Sequence, residues 1–289
     1  MYGVISPFDR LATAPALKGT HGVAGIAYAY ADGASRLATL EQRSPLRVLF
    51  PRPAAGDIPQ AALITTSGGM VGGDTLDIAV SVGPGASALV IGQAAEKVYR
   101  SQGADCRIDV LLQVDDGGWL EWLPQETILF DGARLRRQTT VAVADGGQAL
   151  AGEILVFGRV ARGETVTRGL VRDAWRVSLD DRLVWADALH MDPDDIAHCL
   201  EAPAGFGGAR AAATAVYVGP DTADRLALAR DLAEREGVKA GATCCGPVLV
   251  VRWLGAEPSR VRDAFEAFWT GFRAEVGRLP GRLPRLWYV

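Results

Sequence analysis

The chain has 289 residues, of which 49% are hydrophobic and 22% charged, and its formal net charge is −4. This composition is ordinary for a soluble globular protein, and the slight acidity argues against a nucleic-acid binder, which needs a clustered cationic face. No apolar run approaches the ~18 residues of a membrane span, and residues 1–10 lack a signal-peptide profile. We therefore expect a cytoplasmic protein that does not associate with membranes.

Glycine and cysteine are the residue types whose use is most informative. Glycine supplies 34 of the 289 residues, well above the usual share of roughly 7%, which predicts many turns. The cysteines form no regular framework and no C-x2-C pair of the kind that binds zinc. We expect them to be reduced and mostly buried. They are Cys106, Cys199, Cys244 and Cys245.

Residues 1–219 are predicted to form mainly strands and turns. The segment 25–30 reads as a strand and ends at Asp32-Gly33, which is a hairpin signal. A further strand is predicted at 46–50, and a linker rich in proline and glycine follows at 51–59. This part of the chain is therefore assigned to a mainly β body.

A unit of strand, glycine turn and returning strand then occurs three times. The units are 76–82 with 88–91, 107–114 with 119–123, and 139–143 with 149–157. Their turn glycines, Gly85, Gly118 and Gly147, lie 33 and 29 residues apart. This spacing is typical of repeat architectures, including coiled stacks of strands, but a plain β-meander would look the same.

The last part of the chain, 220–289, is predicted to add helices to this body within a single domain spanning 1–289. One helix is predicted from a cap at Asp221 or Thr222 to about residue 236, and another from a cap at Ser259 to Gly277. No nucleotide-binding glycine motif follows a strand and opens a helix. Further strands are predicted at 174–179, 182–186, 213–218 and 247–254.

The densest cluster of potential metal donors is the segment from His190 to Cys199. It contains Asp194 and His198, which are four residues apart and could share a helix face. Its mixture of oxygen, nitrogen and sulfur donors suits a borderline transition metal. The alternative is a solvated turn around Pro193, in which aspartates serve as caps and turn formers.

Two other segments are candidates for a functional role. One is rich in glycine, and the other places charged residues beside aromatic side chains. Four glycines in the segment Gly68–Asp74 predict a shaped loop, with Asp74 facing inward or across an interface. Further along, Glu126, Asp131 and Arg134 lie beside aromatic anchors. Because buried carboxylates need partners, these residues form either internal ion pairs or a functional acidic channel.

Seven sequence blocks, taken in order, resemble the signature blocks of the urease accessory protein UreD (UreH) family. The resemblance extends from about residue 20 to the end of the chain and is densest between 67 and 164. The blocks are Gly68-Gly-Met-Val-Gly-Gly-Asp-Thr-Leu76, Val82-Gly-Pro-Gly-Ala86, Lys97-Val-Tyr-Arg-Ser101, Trp122-Leu-Pro-Gln-Glu126, Phe130-Asp-Gly-Ala-Arg134, Gly158-Arg-Val-Ala-Arg-Gly-Glu164 and Pro284-Arg-Leu-Trp287.

The resemblance implies a scaffold and nickel chaperone rather than an enzyme, with no tightly bound cofactor and with nickel as transient cargo. Proteins of this family form a complex with UreF and, through UreF, with UreG, and this assembly docks on urease apoprotein. It assists nickel delivery to the dinickel active site. The family fold is an elongated, β-helix-like stack of strands with two α-helices in its C-terminal half, which agrees with the units and helices predicted above.

The resemblance also suggests where nickel passes and where UreF binds. An internal tunnel is the proposed nickel route, and we expect carboxylates to line it because hard oxygen donors hold nickel less firmly than thiolate or several imidazoles. The candidates are Asp74, Glu126, Asp131 and Glu153, with His190, His198 and Cys199 as further candidates. We assign the UreF interface to 221–289 because its aromatic residues exceed what one helix face normally buries.

Two other classes of function remain open on the residues alone. A β-rich carbohydrate- or ligand-binding module would use Trp119, Trp122, Trp175 and Trp185 as stacking platforms, although tryptophans at alternate strand positions are more often core residues. A hydrolase would need a pair of carboxylates such as Glu121 and Glu126, and no recognisable acid/base constellation accompanies them.

Overall fold

The computed structural model describes residues 19–288, which form two large facing β-sheets with helices on the outside of one sheet. Residues 1–10, for which we expect no signal peptide, lie outside this range. In chain order the strands are β1 (His21–Ala31), β2 (Ala34–Arg43), β3 (Leu46–Leu49), β4 (Gln60–Thr65), β5 (Thr75–Val82), β6 (Ser87–Gly92), β7 (Glu96–Val98), β8 (Cys106–Val114), β9 (Trp119–Leu123), β10 (Thr127–Leu129), β11 (Arg134–Val143), β12 (Gln148–Phe157), β13 (Leu170–Leu179), β14 (Arg182–Met191), β15 (Ala211–Val218), β16 (Lys239–Cys245) and β17 (Val248–Gly255). The α-helices in the described range are α1 (Ile196–Glu201), α2 (Leu226–Ala233) and α3 (Pro258–Glu275).

The strand order distinguishes the two architectures that the repeat left open. The first sheet has the order β14-β13-β11-β8-β5-β1-β2, and the second has the order β16-β17-β15-β12-β9-β6-β4-β3. In the first sheet β1, β5, β8, β11 and β13 are parallel, and in the second β4, β6, β9 and β12 are parallel. Each strand-turn-strand unit therefore crosses from one sheet to the other instead of forming a hairpin, and the predicted β-helix-like stack is confirmed.

The turns between the sheets explain part of the glycine content. In each unit the last turn residue donates a backbone hydrogen bond to the residue three positions earlier, such as Ala86 N to Gly83 O at 2.9 Å. The left-handed positions are Gly85, Gly117 and Gly146, with φ of 66°, 65° and 82°. The glycines predicted for the second and third turns, Gly118 and Gly147, follow the residues that require positive φ.

The helices differ from their predicted boundaries for local reasons. The Asp221 carboxylate accepts hydrogen bonds from Tyr217 and Arg225, so it caps no helix, and a 3-10 turn precedes α2. At α3 a proline occupies the first position, which suits its missing N–H, and Ser259 lies inside the helix rather than capping it. The short helix α1 was not predicted.

The aromatic residues of α3 are buried against the outer face of the second sheet. Phe265, Phe268, Trp269 and Phe272 have no exposed surface. The aromatic excess in 221–289 is therefore explained by this internal core, and the reason given for a UreF interface there is wrong. Close packing is possible because Gly152 on β12 has no side chain: a Cβ at this position would lie 2.5 Å from the Phe265 ring.

A fully buried ion pair fixes α3 to the second sheet. Arg273 Nε lies 3.0 Å from Glu121 Oε2, and neither side chain is exposed. Trp269 donates to the same carboxylate at 2.7 Å, and Arg273 also binds Asp57 at 2.7 Å and the carbonyl oxygen of Pro280 at 2.6 Å. This arginine thereby joins the helix, β9, the 51–59 linker and the C-terminal segment.

The structure also bears on the predictions about cysteine and membranes. All four cysteines are free thiols, as predicted, but the expectation that they are mostly buried is wrong, because only Cys106 is buried and the other three are half-buried. Within residues 19–288 none of the helices combines the length and the apolar character that a membrane crossing requires.

Candidate functional site

Two cavities are lined by residues of both sheets. The first has a volume of about 180 Å³ and is bounded by the glycine-rich loop at 67–69, the segment 92–97 and inward-facing side chains of β11 and β12. The second has a volume of about 420 Å³ and lies toward β13–β17, where Asp187 pairs with Arg252 at 2.6 Å. Charged groups line both cavities, which distinguishes them from ordinary packing defects in an apolar core.

Glu153 lines both cavities. It lies on β12 with its side chain facing the first sheet, whereas its neighbour Gly152 faces α3. The alternation of side chains along a strand therefore places one residue against the helix and the next at the junction of the cavities. Of the four carboxylates expected along a nickel route, only Glu153 borders either cavity.

A buried arginine connects Glu153 with a second carboxylate. Strands β11 and β13 are paired so that Arg137 lies opposite Asp173. Arg137 donates from Nε and Nη2 to the two oxygens of Asp173, both at 2.8 Å, and its Nη1 lies 2.5 Å from Glu153 Oε2. Two carboxylates thus share one guanidinium, and this cluster leaves one uncompensated negative charge when all three groups are ionised.

Burial changes the acidity of Glu153. Desolvation raises its pKa to about 7, opposed by the positive charge of Arg137 and reinforced by Asp173. Hydrogen bonds from Trp122 Nε1 at 3.4 Å and Thr139 Oγ1 at 3.3 Å also favour the ionised form. The carboxylate therefore changes protonation near neutral pH, where small changes in its surroundings determine whether it carries charge.

Glu96 is a cavity carboxylate that the sequence predictions missed. It lies on the short strand β7, and Thr65 Oγ1 donates to its Oε2 at 2.5 Å. Burial raises its pKa, against the opposing effects of the Thr65 hydrogen bond and the Lys97 charge. Its position directly before the block Lys97–Ser101 is the sequence signal that could have identified it.

Asp74 closes the glycine-rich loop and lies outside the lining of either cavity. Its carboxylate accepts hydrogen bonds from the backbone N–H of Val71 and Thr20, both at 2.8 Å, and from the Thr20 hydroxyl at 2.9 Å. The inward orientation predicted for it is consistent with its 6% exposure. Gly69 of the same loop has φ of 143° and passes close to Lys97, so the loop forms part of the first cavity wall.

The side chains of Glu126 and Asp131 take part in ion pairs and belong to the lining of neither cavity. Glu126 binds Arg262 of α3 at 3.1 Å. Asp131 binds Arg100 at 2.9 Å and accepts hydrogen bonds from Thr167. Burial alone would raise the pKa of Asp131, but these hydrogen bonds and the Arg100 charge lower it below its usual value. The predicted alternative of internal ion pairs thus describes these two residues.

The segment from His190 to Cys199 does not converge on a common point. His190 Nε2 lies 3.1 Å from Asp192 Oδ1 on the surface, and α1 begins at Ile196, so Asp194 precedes the helix that carries His198. Within residues 19–288 no group of three or more histidine, cysteine or acidic side chains is arranged to hold a metal ion. Nickel contact by His190, His198 or Cys199 stays a prediction.

Most of the residues required by the other two functional classes are buried. Trp119, Trp122 and Trp175 are at most 7% exposed, so they offer no stacking surface to a sugar, and Trp185 is half-buried. Glu121 is fully buried against Arg273 and cannot meet a glycoside substrate. Neither class is therefore favoured by the structure.

Comparison with known proteins gives a consistent result over nearly the whole chain. The family model described as UreD urease accessory protein matches residues 20–288. A urease accessory protein UreD of Magnetococcus marinus is 43% identical over 277 residues, covering 94% of this chain and 95% of the relative. UreD of a Methylobacterium species is 43% identical over 262 residues, covering 89% and 90%. UreD 1 of Methylobacterium radiotolerans is 39% identical over 295 residues, covering 99% of each.

Proposed function

The chain belongs to the family of UreD urease accessory proteins, and we propose that it assists the delivery of nickel to urease as a scaffold in a complex with UreF and UreG. The names of its relatives support an accessory rather than a catalytic role. In this proposal the complex docks on urease apoprotein and acts in the cytoplasm, and UreG is bound through UreF.

The observation that carries the nickel-delivery proposal is the junction of two cavities at Glu153. A cation that enters the first cavity meets Glu96 and then Glu153, and beyond Glu153 it meets Asp173 and Asp187. Each step offers a carboxylate within a protein interior that otherwise disfavours a divalent ion. These carboxylates therefore line two adjoining cavities that share Glu153, and the Glu153–Arg137 pair lies between them.

The chemistry of this path suits transfer rather than storage. Carboxylate oxygen is a harder ligand than the imidazole and thiolate groups that bind nickel firmly, so the metal is released readily. At the junction the Arg137 guanidinium competes for the same oxygens of Glu153 and Asp173. Passage of nickel then requires Arg137 to yield one carboxylate temporarily, which keeps the residence time of the ion short.

The proposed UreF interface in 221–289 must use outward surfaces. The inward surface of α3 is covered by the second sheet, because its aromatic residues are fully buried there. A UreF partner would therefore contact the solvent-facing sides of α2 and α3. Substitutions of solvent-facing residues on α2 and α3 test the interface without removing core residues.

Reconstitution of urease activation tests the proposed function. Urease apoprotein is incubated with UreF, UreG, GTP, bicarbonate and Ni²⁺, with or without this protein, and bound nickel and urease activity are measured. We expect the protein to raise both quantities. Equal nickel content with and without the protein, at a Ni²⁺ concentration that limits spontaneous loading, would contradict the proposal.

A further inference from the structure

The outward face of the first sheet carries basic side chains in a single row. The register places Arg107 of β8 opposite Arg136 of β11, Arg136 opposite Arg172 of β13, and Arg172 opposite His190 of β14. Neighbouring strands are about 4.8 Å apart, so these side chains project side by side. We call Arg107, Arg136 and Arg172, with Arg176 on the same face of β13, the arginine row.

This arrangement is unfavourable in the isolated chain. Like charges directly opposite each other on adjacent strands repel. Asp109 pairs with Arg107 at 2.9 Å and Asp105 with Arg136 at 2.5 Å. Among the described residues Arg172 and Arg176 make no ion pair, and Arg176 is exposed. The positive charge is therefore only partly neutralised, on a chain whose overall net charge is −4.

The shape of this face indicates the chemistry of its partner. The next outward row holds Asp109, Gln138, Ala188 and the buried Ala174, and the outward positions of β8, β11 and β13 hold no aromatic residue. A flat face without aromatic platforms offers no base stacking to a nucleic acid. A guanidinium, by contrast, binds a carboxylate through two parallel hydrogen bonds.

The opposite end of the same sheet has the opposite charge. The turns there contain Asp115, Asp116, Asp145, Asp180 and Asp181. An extended polyanion such as DNA that reached beyond the arginine row would meet these carboxylates. A localised acidic patch on a folded protein can contact the end with the arginine row without reaching the acidic turns. Such charge complementarity sets the orientation of a complex.

We propose that the arginine row docks on an acidic surface of urease apoprotein. The choice of this partner rests on the proposed function, whereas the location of the interface rests on the charges of the outward sheet face. Docking there leaves the helices on the second sheet free for UreF, because the two surfaces lie on opposite sides of the stacked sheets.

Binding measurements with charge-reversed variants test this interface. The complex of this protein with UreF is titrated against immobilised urease apoprotein at 50 and 300 mM NaCl. We expect Arg172→Glu to weaken binding by about tenfold at low salt, Arg172→Gln to weaken it less, and high salt to weaken wild-type binding. Arg52→Glu, in the linker after β3, gives the same charge change at an exposed position and serves as the control, with binding equal to wild type.

The possible outcomes separate the interface from the function. Recovery of each variant with UreF and an unchanged circular-dichroism spectrum establish that it is folded. Wild-type affinity of folded Arg172→Glu for the apoprotein would overturn the interface and leave the proposed function intact. Absence of apoprotein binding by the wild-type complex would overturn the proposed function and the interface together. Binding of the wild-type complex to duplex DNA or to anionic vesicles, lost in Arg172→Glu while apoprotein binding persists, would also overturn the interface.

Discussion

The Glu153 carboxylate lies 2.5 Å from Arg137 Nη1, and each of these side chains is 3% exposed. The pair lies where the two cavities between the sheets meet, so the same contact that neutralises a buried charge also separates the cavities. A buried ion pair adds little stability compared with apolar packing, although the loss of one partner is costly. In the proposed function, this position gives the pair a role in cation passage.

The protonation of Glu153 predicts a specific pH dependence of stability. The raised pKa of about 7 lies above the unfolded value of about 4.5, so proton binding stabilises the folded state. This contribution is fully present below pH 4.5 and is lost as pH rises through 7. The variant Glu153→Gln cannot titrate. We therefore expect the melting temperature of the wild type, relative to that of Glu153→Gln, to fall as pH rises from 5 to 8. A difference that stays constant over this range would contradict the raised pKa of Glu153.

The closure of the glycine-rich loop by Asp74 predicts an indirect effect on nickel delivery. Asp74→Ala removes the acceptor for Val71 and Thr20 and is expected to cost about 1–3 kcal/mol, because these donors lose hydrogen bonds to a charged carboxylate. The loop forms part of the first cavity wall, so nickel transfer to urease should fall while UreF binding persists. Asp115→Ala in an exposed turn is the control. Normal transfer by a folded Asp74→Ala would remove the loop from the route.

The buried Glu121–Arg273 pair is expected to be important for stability. Glu121→Ala leaves the Arg273 guanidinium without its main buried partner and should lower the free energy of unfolding by about 3–5 kcal/mol. The matched control is Glu257→Ala, which removes an exposed pair with Arg260 and should cost less than about 1 kcal/mol. Urea unfolding measures both, and equal losses would show that the buried pair has no special role.

Gly152 is expected to be essential for the packing of α3 against the second sheet. In Gly152→Ala the new Cβ would lie 2.5 Å from Phe265 and 2.9 Å from Trp269, and the overpacking should cost about 1–3 kcal/mol. Gly241→Ala on the exposed strand β16 is the control, since a Cβ there meets nothing within 4 Å. We expect the control to be neutral or slightly stabilising. A stable Gly152→Ala with native tryptophan fluorescence would show that the helix can shift without loss.

The sequence predicted the fold more completely than the site, because local patterns determine strands and turns. The hairpin at Asp32-Gly33 was correct, since both residues adopt positive φ there. Whether a repeat forms hairpins or crosses between sheets depends on pairing with distant strands, which a single unit does not reveal. The helix start at Ser259 was missed because Pro258 takes the first helical position.

The candidate site could be predicted only in part because it depends on long-range register. Glu153 was identified, but its partner Asp173 lies on β13 and reaches it through Arg137 of β11. Local acidity and aromatic neighbours pointed equally to Glu126 and Asp131, which the structure places in ion pairs outside the cavities. Glu96 was overlooked although it directly precedes the block Lys97–Ser101, because that block does not show that β7 faces the first cavity.

Nickel transfer by Glu153→Gln tests the central claim most directly. The substitution preserves the size of the side chain and removes its charge, and Glu126→Gln removes a half-buried, ion-paired carboxylate outside the cavity lining. Each variant, in complex with UreF and UreG, is supplied with limiting Ni²⁺ and urease apoprotein, and nickel bound per urease active site is measured. The account predicts a severalfold lower nickel content with Glu153→Gln and wild-type content with Glu126→Gln. Wild-type nickel content with a folded, UreF-bound Glu153→Gln would contradict it.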